Sequence, residues 1–115
     1  MIARIWHGRV RRAEAERYHE YLLATGLPDY RQTPGNRGVH LLRRDEGEVT
    51  HYYTLTFWDS IEAIIRFAGE DYEAARYYPE DDRFLLEREP QVTHYQMMST
   101  EPPAAGSKGS QPGAQ

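Results

Sequence analysis

The sequence predicts an α+β fold in which one four-stranded antiparallel sheet carries two helices, and three observations predict it. Four stretches rich in β-branched and aromatic residues are separated by two stretches with helical spacing. Their order along the chain is strand, helix, strand, strand, helix, strand. The middle two strands are joined by a short acidic turn, "DEGE", of the kind that closes a hairpin. That order is the βαββαβ of a ferredoxin-like plait.

Each element has its own signal. "IARIWH" (Ile2 to His7) alternates and is rich in β-branched and aromatic residues, the mark of a strand. "RRAEAERYHEYLLATG" follows as a helix with Ala15, Tyr18, His19 and Leu22 on one face and Gly26 as its stop. "LPDYRQTPGNRG" is punctuated by Pro28, Pro34, Gly35 and Gly38 and reads as an irregular connection. The hairpin is "VHLLRR", the turn, then "VTHYYTLTFW". Asp59 offers an oxygen to first-turn amides, with Glu62 completing a capping box. Ile61, Ile64, Ile65 and Ala68 then form an apolar helical stripe ended by Gly69. "DYEAARYY" reads as a shorter helical piece before Pro79, and after the acidic turn "PEDDRF" the last strand is "QVTHYQMM".

A chain of 115 residues with 39% hydrophobic content has core enough for one domain. The domain spans about residues 1 to 100. The tail, 101 to 115, is "EPPAAGSKGSQPGAQ", which has no large apolar side chain to repay the entropy of ordering and is expected to be disordered. A net charge of −4 with scattered arginines disfavours nucleic acid as a partner. No apolar run approaches the ~20 residues needed to span a bilayer, no signal-peptide centre is visible, and the expected location is cytoplasmic. The absence of cysteine excludes disulfides, thiolate nucleophiles, iron–sulfur clusters and the usual structural zinc sites.

Neither parity of the strands is polar. Tyr53, Leu55 and Phe57 share one face of the third strand while Tyr52 and Trp58 share the other, and in the first strand Ile5 opposes Ile2 and Trp6. Two helices cover one face of such a sheet, and leaving the other wet forfeits roughly 1.5–3 kcal/mol for each large group. A second copy related by a two-fold axis is the simplest cover, so a homodimer is expected.

The order of elements and the stretch "EVTHYYTLTFWDSIEAIIRFAG" resemble the antibiotic biosynthesis monooxygenase superfamily of dimeric α+β barrels. The resemblance covers about residues 2 to 98 and rests on the strand ending in Trp58, the "WDS" joint and the helix bearing Phe67. It implies a homodimer with a pocket between sheet and helices in each subunit. It also implies either oxidation of aromatic, polyketide-like substrates by oxygen with no cofactor or, in a related branch, heme binding and degradation. That branch carries a proximal histidine and a helical Trp. The corresponding places here hold Tyr77 and Phe67, and no histidine occurs in residues 52 to 93, so heme handling ranks third.

Cofactor-free oxygenation needs an apolar cavity, a base and donors for the substrate anion. With the first and third strands taken to run parallel and the fourth antiparallel beside the first, His7, Trp58 and His94 fall at one end of the sheet. His51 falls at the far end, and His40 can face either way. His94 or His7 is then the candidate base. Tyr52, Tyr77 and Tyr78 are candidate donors, and Trp58 and Phe67 are candidates to stack on a substrate ring. The plainer reading is half-buried imidazoles satisfied by neighbours and aromatics that are core. No metal or cofactor is expected, and the functional alternative is a non-catalytic dimeric small-molecule-binding or interaction module. "GNRG" reads as a turn, and "RRAEAER" and "PEDDR" as solvated charge faces.

Overall fold

A computed structural model describes residues 1–104. Its elements are β1 (Ile2–Arg11), a 3-10 turn (Arg12–Glu14), α1 (Ala15–Ala24), α2 (Gly26–Gln32), β2 (Asn36–Glu46), β3 (Val49–Trp58), α3 (Ile61–Ala68), α4 (Asp81–Phe84) and β4 (Thr93–Gln96). The strands form one sheet in the order β2-β3-β1-β4, antiparallel throughout, which is the ferredoxin-like fold. Most of the expected tail, residues 105–115, lies outside the described residues.

Strand direction is the main correction to the sequence reading. β1 and β3 are antiparallel, so Trp58 pairs with Ile2, His7 with Tyr53, and His51 with the position beside Gly8, Arg9. The reason is topological: the crossover through the helices makes β1 parallel to β2, and the hairpin reverses β3. His7 and Trp58 are therefore at different ends of the sheet, five β1 positions or about 17 Å apart at ~3.4 Å per residue.

Boundaries shift for local reasons. β1 runs on to Arg11 because both of its edges find partners, β3 along its whole length and β4 and Leu85 on the other side. Gly26 begins a second helix where an irregular connection was expected. Pro28 sits in its first turn, where its missing N–H has no helical partner to lose. Ser60, one residue beyond the expected Asp59, caps α3: its Oγ accepts from the Ala63 N–H at 3.1 Å. Asp59 is occupied by the Arg37 guanidinium at 2.7 and 3.0 Å. "DYEAARYY" forms no helix, because its backbone pairs with the segment leading to β4: Ala75 N–H donates to Pro90 O and Val92 N–H to Glu73 O.

The helices cover one face only. Ile2, Arg4, Trp6, Gly8 and Val10 of β1 and Thr50, Tyr52, Thr54, Thr56 and Trp58 of β3 point into the core, in two clusters. One gathers Trp6, Val10, Tyr18, Leu22, Tyr52 and Leu85, the other Tyr30, Trp58, Ala63, Ile64 and Phe67. Gly8 is required by close approach: a Cβ there would lie 2.5 Å from the Trp6 ring and 2.9 Å from Leu85. On the opposite face Ile5, Tyr53, Leu55 and Phe57 are partly exposed with no element above them, and Leu42 and Tyr95 are 49% and 51% exposed. The alternation read from the sequence holds on both strands.

Candidate functional site

Alternation along β1 puts Arg4 among apolar neighbours on the helix side, and Arg4 is 1% exposed. Its guanidinium touches only neutral oxygens at long range, Nη1 to the Tyr30 hydroxyl and Nη2 to the Ala74 carbonyl, each at 3.4 Å. Its Nε is buried with no partner. Desolvation lowers its pKa, yet arginine stays charged, so a cation is held here without a carboxylate of its own.

Around it the elements converge. Tyr30 from α2 stacks on Phe67 from α3 at 4.3 Å, and its hydroxyl lies 3.2 Å from Thr54 Oγ1 on β3. The Arg4 and Arg76 guanidinium carbons both lie over the Phe67 ring, at 5.3 and 4.8 Å. Arg76 is tied to Asp29 at 3.2 Å, and Asp29 accepts from the Tyr78 hydroxyl at 2.6 Å. An interior cavity of about 20 Å³ lies against Trp6, Tyr18, Tyr30, Thr54, Arg76 and Tyr78, room for about one water. Its floor is polar: Asp81, 3% exposed, accepts from the Tyr18 hydroxyl at 2.8 Å and from the Tyr78 N–H at 2.6 Å. Burial raises the pKa of Asp81 despite those two donors, and burial also raises Tyr18 and Tyr78.

His94 stands opposite Arg4 in the β1–β4 register. Its Nε2 is buried with no partner, and the ring meets Tyr72 edge-on at 5.4 Å. Desolvation, then the neighbouring Arg4 charge, lowers its pKa below 6.5, so the ring is neutral at pH 7. It lines a groove of about 400 Å³ at the β4 edge together with Ile2, Asp59, Ile61 and Tyr95. The arrangement offers a neutral imidazole one strand away from a buried guanidinium, beside aromatic rings. Chemically, that is an acceptor for a proton and a counter-charge for the anion left behind.

The other expected site residues are dispersed. His7 is on the opposite sheet face, where its Nδ1 is bonded to Glu89 and its Nε2 lies 2.9 Å from His51 Nδ1. His51, placed at the far end by the sequence reading, is thus its immediate neighbour and is itself bonded to Glu46 at 2.9 Å. His40 shares that face, edge-on to Phe57. Trp58, expected at a pocket mouth, is 0% exposed and donates to Thr56 Oγ1 at 2.8 Å inside the core. Tyr52 is also core, its hydroxyl given to the Ala15 carbonyl at 2.8 Å. Tyr77 donates to the Glu89 carbonyl, whereas Phe67 and Tyr78 do flank the Arg4–Arg76 region. Arg4, Tyr30, Arg76 and Asp81 were not anticipated. The available signal was the parity of β1, which puts a charged residue between Ile2 and Trp6 on the face the helices bury.

Among the described residues no helix is long and apolar enough to cross a membrane, and no group of three metal-ligating side chains occurs. Comparison with curated proteins finds no match. Several solved structures resemble the fold, three of them as follows. A single-site mutant of MhuD with two manganese protoporphyrin IX bound per active site is 20% identical, with TM-score 0.59, over 90% of this chain and 100% of that one. The heme-degrader MhuD of Mycobacterium tuberculosis with two hemes in its active site is 21% identical, with TM-score 0.57, over 89% and 100%. Rv0793 of the same organism is 18% identical, with TM-score 0.53, over 87% and 98%. At these identities the likeness is one of fold. The family model described as antibiotic biosynthesis monooxygenase matches residues 1–76, about two thirds of the sequence, and the chain belongs to that family.

Proposed function

We propose that the protein is a small monooxygenase that oxidises a flat, hydroxylated aromatic compound with O2 and without a bound cofactor. The observation that carries this reading is His94: a half-buried, neutral imidazole whose Nε2 has no partner, beside the Arg4 charge and lining a groove large enough for a ring system. His94 removes the acidic proton of the substrate. The resulting anion reduces oxygen, with a ring CH2 becoming C=O while the second oxygen atom leaves as water, so the substrate supplies all four electrons. Tyr95, which lines the groove with His94, and Tyr72, edge-on to the His94 ring, offer the aromatic surfaces. The partly exposed apolar sheet face of Ile5, Tyr53, Leu55 and Phe57 supports a homodimer as the working form, and the absence of cysteine from the sequence is compatible with the cytoplasm.

Oxygen uptake with anthrone-type and naphthol-type substrates tests the proposal. Turnover that falls at least ~100-fold in His94→Gln is expected, in line with the usual worth of a general base. No uptake across a broad panel sinks it.

Heme, which one of the MhuD structures holds, fits the tyrosines and the interior cavity of this chain poorly. The two tyrosines that stand nearest the expected ligand position are committed, Tyr77 to the Glu89 carbonyl and Tyr78 to Asp29, and burial raises the pKa of both, against the tyrosinate a ferric iron needs. No histidine borders the interior cavity. One observation favours a second, non-catalytic reading, a dimeric binding or interaction module: that cavity has room for about one water, so its own side chains fill it. A folded protein with no oxygen uptake that still binds aromatic ligands would establish this reading over the first.

A further inference from the structure

We propose that Arg4, assisted by Arg76, is a binding site for the carboxylate of a small aromatic acid. The proposal rests on the reading above only for the aromatic character of the ligand; its site is not the His94 groove but the region of Arg76, Phe67 and Asp29, which line a separate groove of about 250 Å³. Its first support is an imbalance. Arg4 is buried at 1% exposure, and both of its hydrogen bonds, at 3.4 Å to neutral oxygens, are longer than the 2.7–3.2 Å of ordinary N–H···O contacts. Nε has no partner, so the Nε–Nη edge, the edge that pairs with a planar carboxylate through two parallel hydrogen bonds, is not engaged in that way. Elsewhere in this protein arginines do engage carboxylates so: Arg9 with Glu87, Arg37 with Asp59 and Arg88 with Asp82 each use Nε and Nη2.

The second support is the company Arg4 keeps. Arg76 shares the Phe67 ring with it, and the two cations are near enough that Arg76 counts among the influences opposing the Arg4 charge. Asp29 is the carboxylate paired with Arg76, and it is shared with the Tyr78 hydroxyl. Two guanidinium groups and one carboxylate leave one positive charge in a low-dielectric setting walled by Phe67, Tyr30 and Tyr78. A planar monoanion on an aromatic ring balances that charge and stacks on those walls. To reach Arg4 it displaces the Ala74 carbonyl and the Tyr30 hydroxyl, so segment 70–80 moves outward when the ligand binds. The weak 3.4 Å contacts are the ones it replaces.

The test is equilibrium binding of 1-naphthoate and of its neutral isostere naphthalene-1-carboxamide, followed by tryptophan fluorescence and calorimetry, with thermal melts of the ligand-free proteins. The wild type should prefer the carboxylate at least tenfold. Arg4→Met should abolish that preference while melting no lower than the wild type, since it removes a buried unpaired charge. Arg76→Met, on a half-exposed side chain, should reduce the preference severalfold. Equal affinity of the wild type for the two ligands overturns the proposal. So does an Arg4→Met protein that keeps the preference, melts far lower or fails to fold, because Arg4 is then a structural group. Neither ligand need be oxidised: discrimination without oxygen uptake keeps this site and removes the monooxygenase, and uptake without discrimination does the reverse.

Discussion

At the scale of single residues, the molecule separates its histidines by chemistry as well as by position. His94 is partly withdrawn from solvent and set beside Arg4, whereas His7 and His51 are bonded to each other and to Glu89 and Glu46. The folded pKa of His94 lies below the unfolded value of 6.5, and in the proposed oxygenation its neutral form acts as the base. Oxygenase kcat/KM should therefore be flat through neutral pH and fall only below the ordinary imidazole range, a pH-rate profile that His94→Gln should abolish along with the activity. The same linkage has a stability sign. The contribution is present above 6.5 and is lost as pH falls through the depressed pKa, so acid melts of the wild type should be steeper there than those of His94→Gln. Tyr18 makes a second case. Removing its hydroxyl leaves Asp81 Oδ1 buried without a donor, and Tyr18→Phe should cost about 1–3 kcal/mol, read as a lowered Tm.

At the scale of elements, α3 shows how a one-residue ambiguity is resolved. Asp59 and Ser60 are both good caps, and only the backbone entering the helix decides between them: Ser60 is extended at φ −164°, with its Oγ on the Ala63 N–H. Ser60→Ala should cost about 0.5–2 kcal/mol in denaturant melts, and Asp59→Ala, at a solvent-exposed pair, should change little. The reverse order would mean that Asp59 is the cap. Gly8 tests the packing of β1 on the segment after α4. Its missing Cβ leaves space for the Trp6 ring and Leu85, so Gly8→Ala should destabilise by about 1–3 kcal/mol through overpacking.

Element order and strand parity were legible because they repeat: every second residue of "VTHYYTLTFW" votes for the same face. The direction of β3 relative to β1 is fixed by the connections, and reading them as parallel brought Trp58 and His7 falsely together. The helix after Thr25 was hidden by Pro28, which signals a loop unless it falls in a first turn. Segment 70–80 has helical spacing but exchanges its backbone bonds with residues 90–92, a long-range pairing that no local pattern reveals. Arg4 was legible in principle, as a charge on a buried parity. Arg76 and Asp81 were not, since Arg76 reaches the site from irregular chain and Asp81 from the start of the four-residue α4, and the course of both depends on the whole fold.

At the scale of the whole molecule, the sheet has two faces with different tasks. One is covered by α1, α2 and α3 and holds Arg4 and His94. The other presents Ile5, Tyr53, Leu55 and Phe57 with no helix or strand of the described residues above them, and each such group left wet forfeits roughly 1.5–3 kcal/mol. We propose that a second copy of the chain covers that face. Leu55→Arg, at its middle, should split the pair while leaving the helix-side core intact. The most direct measurement is sedimentation velocity at micromolar concentration. The account predicts a single species of about twice the 13.4 kDa chain mass, reduced to one chain in Leu55→Arg. A wild type that sediments as a folded, stable 13.4 kDa monomer contradicts it.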